Sequence, residues 1–296
     1  MRKKIRVSAA DRVFIAVNYT FLSAILLCVA YPLIIIVSNS FSDPQAVISG
    51  QVWLWPVDAN IRGYQAVFQN RNVLTGYANT ILYTVCGTAL AVFLTILAAY
   101  PLSRKDFYGR GLFMGLFTFT MLFSGGLIPS YIINRNLGFV DSRLSLIVLG
   151  SLSVYNVIIT RTFFKSAVPD ELLEAAQIDG CDDFTFIAKM VLPLSTTIIA
   201  VLVLFYAVGY WNSYYTAIIY IRSPEKFPLQ IILRNILILS QTADMMGDVQ
   251  AQMQFQGMQD LIKYALIVVA SAPILALYPF VQKYFVKGVM IGSLKG

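Results

Sequence analysis

The stretch VFIAVNYTFLSAILLCVAYPLIIIV, residues 13–37, contains no charged residue. A bilayer core about 30 Å thick is crossed by roughly 20 apolar residues in a helix. The stretch is too long for the apolar part of a secretory leader, which runs about 7–15 residues, and no small-x-small cleavage pattern follows it. It is therefore read as a retained first span, preceded by the basic cluster Arg2, Lys3, Lys4, Arg6 and Arg12. Working outward, similar segments recur at 13–38, 77–103, 111–131, 144–164, 192–220 and 261–286, which predicts an all-α polytopic membrane protein with about six transmembrane helices. The third is interrupted by Ser124-Gly125-Gly126 and Pro129. Such a break survives at membrane depth only where other protein satisfies the backbone.

Composition agrees. Apolar residues are 58% of the chain and charged residues 12%, against about 25% charged in soluble domains. Too little polar surface remains to coat a water-soluble globule. The net charge of +7 sits at the ends of the apolar runs rather than in a patch, so nucleic acid is not the expected partner; lipid is. The chain has no histidine, which removes His-based metal sites, His triads and histidine proton relays. Cys28, Cys86 and Cys181 show no paired metal or redox spacing.

Lys and Arg also set an expected orientation. Arg104, Lys105 and Arg110 lie between spans two and three, and Lys283, Lys287 and Lys295 follow the last span. The positive-inside rule puts these and the N-terminal cluster in the cytoplasm, with both termini inside. The outer segments are then about 39–76, with Trp53-Leu54-Trp55-Pro56 as an interfacial anchor, about 132–143, and about 221–260, where 227–239 reads as a short interfacial helix.

The most informative cytoplasmic stretch lies between spans four and five: Pro169-Asp170-Glu171-Leu172-Leu173-Glu174-Ala175-Ala176-Gln177-Ile178-Asp179-Gly180. Pro169 suits the first helical position, and Asp170 and Glu171 suit the positive end of a helix dipole. Leu172, Ala175 and Ala176 share a face at i, i+3, i+4 spacing, and Gly180 ends the helix. Asp182-Asp183 starts a second short helix through Phe184, Phe186 and Ile187, and Pro193 begins the next span. A compact helix pair with small residues on one face suits docking into a cleft.

Glu174-Ala175-Ala176, three residues, Gly180, nine residues, Met190, one residue and Leu192-Pro193 resembles the EAA loop of ABC importer permeases, with Met190 where the family usually has Ile. The tail at 282–296 resembles that of MalG-like, carbohydrate-uptake permeases of the type I importer class, and the chain looks closest to those for complex or acidic oligosaccharides. The resemblance runs over roughly residues 10–296. It implies a type I importer transmembrane domain at 77–288 with a coupling loop at 169–190, an N-terminal part at 1–76 and a cytoplasmic tail at 289–296. It also implies that Asp170, Glu171, Glu174, Ala175, Ala176, Asp179, Gly180 and Pro193 couple the spans to an ATPase.

The implied partners are a second permease subunit, two cytoplasmic ATPase subunits that bind ATP and Mg, an extracytoplasmic solute-binding protein and a sugar. The expected location is the bacterial inner membrane. The polar residues Gln241, Asp244, Asp248, Gln250, Gln252, Gln254 and Gln256 would lie where the binding protein meets the outer loop.

The chain contains no G-x-x-x-x-G-K-[ST] phosphate loop. It is therefore expected to be a transport subunit without a cofactor or an enzymatic activity of its own. No Asp or Glu falls inside the assigned spans, which argues against an ion-coupled carrier. An ABC permease for a non-sugar solute is the nearer alternative. Tyr206, Tyr210, Trp211 and Asn212 could line a saccharide path by ring stacking and amide bonding, or could form an aromatic belt at the interface.

Overall fold

In a computed structural model, backbone is described for residues 8–243 and 249–293, and side-chain surroundings for 8–238 and 257–279. Among these residues all regular structure is helical. The elements are α1 (Ala9–Phe41), α2 (Pro44–Ile48), α3 (Arg62–Gln69), α4 (Arg71–Ser103), α5 (Arg110–Leu122), α6 (Leu127–Asn136), α7 (Arg143–Val148), α8 (Val154–Ala167), α9 (Asp170–Ile178), α10 (Asp183–Phe186), α11 (Leu192–Leu194), α12 (Thr196–Trp211), α13 (Tyr214–Tyr220), α14 (Leu229–Ala243) and α15 (Val249–Ser293). A π-helical turn, Ile187–Val191, joins α10 to α11, and a 3-10 turn, Pro224–Lys226, precedes α14.

Three helices, α1, α4 and the Gly257–Pro279 part of α15, are each long and apolar enough to cross a membrane. Two bent pairs, α5 with α6 at 113° and the Asp183–Leu194 segment with α12 at 84°, bring the number to five if each pair is one span. The polytopic all-α reading therefore holds, while the span expected at 144–164 is broken. Leu149 leaves the helical region, Gly150 takes a φ of 84°, and Ser153 starts α8 afresh by accepting the Asn156 N–H. The expected break at 124–126 is the α5–α6 bend. Asp260, just before the segment assigned to the last span, lies within its apolar stretch and pairs with Lys263 at 3.5 Å.

The chain divides into two compact units, residues 1–70 with 233–271, and residues 71–232 with 272–296. In the first, Ser8 and Asp11 form a reciprocal cap at the start of α1. At its other end, Ser38 Oγ donates to the Leu54 carbonyl (2.7 Å) and the Asn60 N–H donates to the Phe41 carbonyl (2.7 Å). These bonds hold the loop that presents Trp53 and Trp55, both largely exposed as an interfacial anchor would be. α3 approaches α15 closely at Gly63, where a Cβ would meet Leu261 Cγ at 2.8 Å.

The second unit is organised around α4, which packs on α12, α8 and α7. Its polar residues hold an irregular segment in place. Asn79 Nδ2 donates to the carbonyls of Glu225 (2.8 Å) and Phe227 (3.1 Å), the Tyr83 hydroxyl donates to the Lys226 carbonyl (2.9 Å), and Thr80 Oγ1 accepts the Leu229 N–H (2.8 Å). Buried backbone outside a helix requires such partners. At the other end of α4, Tyr100, Leu102, Phe164, Val168, Leu173, Ala176, Phe186 and Val191 form one apolar core that carries α9 and α10.

Candidate functional site

The helix pair read from the sequence is present. α9 runs Asp170–Ile178, and Gly180 follows it at a φ of 77°, a left-handed conformation that glycine adopts freely. Pro169 is the residue before the helix rather than its first turn. Asp182 caps α10, accepting the Thr185 N–H (3.2 Å) and the Thr185 hydroxyl (2.5 Å), and these bonds hold its carboxyl below the ordinary carboxylate range. Pro193 does not open the next span. It lies exposed in α11, and the span α12 begins after Ser195, beyond the 84° bend.

The face of Leu172, Ala175 and Ala176 is divided between the core and the outside. Leu173 and Ala176 are buried against Phe186 and Tyr100, Leu172 is partly buried, and Ala175 faces out. The outward surface therefore carries Glu171, Glu174, Ala175, Gln177, Asp179 and Gly180. Two large apolar side chains stand among them, Ile178 at 87% and Phe184 at 78% exposed. Their exposure had no signal in the sequence beyond falling outside the Leu173–Ala176 face. The surface is acidic, since Asp170, Glu171, Glu174, Asp179, Asp182 and Asp183 precede the first basic residue, Lys189.

Asp170 is tied back to the end of α4. Lys105 Nζ lies 2.9 Å from Asp170 Oδ2 and Arg104 Nη1 lies 3.5 Å from Oδ1. The Lys105 hydrogen bond, with the charges of Lys105, Arg104 and Arg110, lowers the Asp170 pKa, and the same bond raises that of Lys105. Arg104 and Lys105 were legible only as markers of orientation; no spacing rule joins them to Asp170.

A second region surrounds the aromatic cluster. A cavity of about 330 Å³ is lined by Leu146, Gly150, Tyr206, Tyr210, Asn212 and Ser213, among others. Tyr206 is buried and its hydroxyl bonds Thr95 Oγ1 (2.7 Å) and accepts the Ser153 N–H (3.2 Å); the Tyr210 hydroxyl donates to the Ile147 carbonyl (2.8 Å). Trp211 is buried edge-on to Tyr77, so it is not part of an exposed belt. Asn212 is exposed, with Nδ2 bonded to the Val208 carbonyl (2.9 Å), and the Ser213 hydroxyl is buried without a hydrogen bond. Three of the four aromatic-cluster residues thus share one cavity, but two of its hydroxyls are occupied by the protein itself.

A third feature went unread in the sequence. Asp141, at a φ of 56°, accepts the N–H groups of Arg222 (3.1 Å) and Ser223 (2.9 Å) and the Ser223 hydroxyl (2.5 Å), and its Oδ2 lies 3.1 Å from Lys226 Nζ. These bonds, the Ser223 hydroxyl foremost, hold its carboxyl far below the usual range. The polar residues at 241–256 and the tail at 282–296 lie outside the residues whose side chains are described.

Within the second unit α4, itself apolar and long enough to cross a membrane, gathers α7, α8 and α12, and the α9–α10 pair is carried at its C-terminal end. The chain belongs to the family described as binding-protein-dependent transport system inner membrane component, whose model matches residues 91–291. It is 41% identical to the polygalacturonan/rhamnogalacturonan transport system permease protein YtcP of Bacillus subtilis, over 97% of this chain and 99% of that one. It is 40% identical to Protein LplC of the same organism, over 97% of this chain and 96% of that one. Among solved structures it is similar to a chain of a bacterial ABC transporter involved in the import of the acidic polysaccharide alginate. That match has a TM-score of 0.86 and 34% identity, and covers 95% of this chain and 100% of the other.

Proposed function

We propose that this chain is one of two permease subunits of an ATP-driven sugar importer, and that the sugar is an acidic oligosaccharide of the pectin or alginate type. Full-length similarity to YtcP carries the substrate class, and the alginate transporter chain supports it. Two cytoplasmic ATPase subunits bind ATP and Mg and perform the hydrolysis, an extracytoplasmic solute-binding protein delivers the sugar, and both termini of the chain are cytoplasmic.

Within the chain, α9 and α10 dock on an ATPase subunit. Glu171, Glu174, Ala175, Asp179 and Gly180 face that partner together with Ile178 and Phe184, while Leu173 and Ala176 bind the element to the spans. Large apolar side chains exposed to water beside carboxylates fit a partner cleft with an apolar floor and a basic rim. The cavity beside α12 lies on the sugar path, with Tyr206 and Tyr210 as its scaffold and Asn212 and Ser213 as its polar contacts, while Trp211 packs outside it against Tyr77.

The test is uptake by the complex reconstituted with its own ATPase, second permease and binding protein. ATP-dependent import of oligogalacturonate or oligoalginate in preference to neutral maltodextrin is the expected result. Preference for the neutral sugar, or uptake indifferent to ATP, would defeat the proposal.

A further inference from the structure

Among the described residues, Arg104 is the one charged side chain that is buried, at 3% exposed. A cation withdrawn from water needs compensation on every side, and its partners come from three segments, α4, the end of α8 and α9. Nε donates to Ser103 Oγ in the last turn of α4 (3.1 Å). Nη2 donates to the carbonyls of Val168 (3.1 Å) and Phe164 (3.4 Å) at the C-terminal end of α8, where the helix dipole favours a positive charge. The guanidinium lies 5.4 Å from the centre of the Tyr100 ring, and that ring packs against Phe186 of α10. Nη1 makes no hydrogen bond and faces Asp170, the first residue of α9, at 3.5 Å.

The grip is thus tight on α4 and α8 and loose on α9. Two further bonds stiffen the tight side: Arg110 Nη1 donates to the Arg104 carbonyl (3.0 Å), and Arg161 Nε donates to the Leu102 carbonyl (3.0 Å). Lys105 also reaches Asp170 but is three-quarters exposed, so water screens that pair.

From this geometry we infer that Arg104 is a positioning residue for transport, the joint that makes α4 and the end of α8 follow α9 when a partner moves it. The loose ion pair lets α9 pivot about Pro169 without losing the attraction, and the tight bonds carry the displacement into the spans. The inference rests on the proposal that α9 docks on an ATPase, and the experiment separates the two.

Spin labels are placed at Gln177→Cys on α9 and Val85→Cys on α4, both exposed positions, in the full complex with Cys28, Cys86 and Cys181 replaced by Ser. The label-to-label distance distribution is measured with and without a non-hydrolysable ATP analogue. With Arg104 the distribution stays narrow in both states. Arg104→Gln broadens it several-fold once the analogue is added, and Arg104→Lys, which keeps the charge but loses the fork of donors, restores the narrowness only in part. Sugar imported per ATP hydrolysed, measured with oligogalacturonate, falls about 10-fold in Arg104→Gln, the size of an ordinary coupling loss.

If Arg104→Gln does not assemble, Asp170→Asn is read in the same way: it removes the loose side of the joint together with the solvent-screened Lys105 pair and leaves the tight side intact. A distribution as narrow as that of the unsubstituted protein in whichever variant assembles overturns the inference. Disulfide trapping of Ile178→Cys to the ATPase tests the docking separately. Its failure removes the docking proposal, whereas trapping together with a narrow Arg104→Gln distribution removes only the role of Arg104.

Discussion

The ring of Tyr210 lies where a side chain on Gly87 would stand: a Cβ built there would be 2.5 Å from the ring carbons Cε1 and Cζ. Glycine lets α4 and α12 approach at this point, as small residues do between membrane helices. The ring cannot swing away freely, because its hydroxyl is bonded to the Ile147 carbonyl. Gly87→Leu is expected to destabilise the fold by about 1–3 kcal/mol, the usual cost of overpacking. Thermal unfolding in detergent measures it, with Gly87→Ala intermediate.

Leu173 and Ile178 share α9 but should behave oppositely. Leu173→Ala opens a gap in the core beside Phe186 and should lower intrinsic stability by roughly 2–3 kcal/mol. Ile178→Ser and Phe184→Ser remove only exposed apolar surface. They should leave unfolding of the isolated chain unchanged while weakening ATPase association by about 10-fold each, within the range for interface anchors. Titration of the purified ATPase onto permease in nanodiscs distinguishes the two classes.

Asp141 gives a pH dependence of defined sign. Its folded pKa is depressed, so the stability it contributes is whole above the ordinary carboxylate value of 3.8 and is lost as pH falls below that towards the folded value. Denaturation temperature should therefore hold steady from neutral pH to about 4 as far as this group is concerned. Asp141→Asn should lower it at neutral pH and flatten the fall below. Asp141→Ala should cost more, because the N–H groups of Arg222 and Ser223 then lose their acceptor.

The cavity residues separate into scaffold and contact. Tyr206→Phe deletes bonds to Thr95 and Ser153 and should cost about 1 kcal/mol of stability, with transport per folded complex unchanged. Asn212→Ala should raise the KM for sugar several-fold with little effect on unfolding. Uptake kinetics normalised to folded protein provide the comparison.

What the sequence disclosed was governed by local physics. The charge-free stretch 13–37, the acidic first turn at Asp170 and Glu171 and the stop at Gly180 each follow from rules that act within a few residues, and each appears in the structure. The fourth span was misjudged because hydropathy is blind to the positive φ that Gly150 adopts between Leu149 and Ser151. The face of Leu172, Ala175 and Ala176, read as suited to docking, is split, since burial against Phe186 takes Leu173 and Ala176 inward and leaves Ala175 outside. Arg104 and Asp141 stayed invisible because their partners lie far along the chain, and charge alone gives no distance.

The turn between α5 and α6 has one more implication. The two helices meet at 113°, and every residue from Thr118 to Ser130 is exposed. Hydrocarbon offers nothing to the peptide dipoles of such a turn. A copy made ahead of its companion subunits is therefore an unfinished object, and its standing amount in the cell should follow their supply rather than its own rate of synthesis.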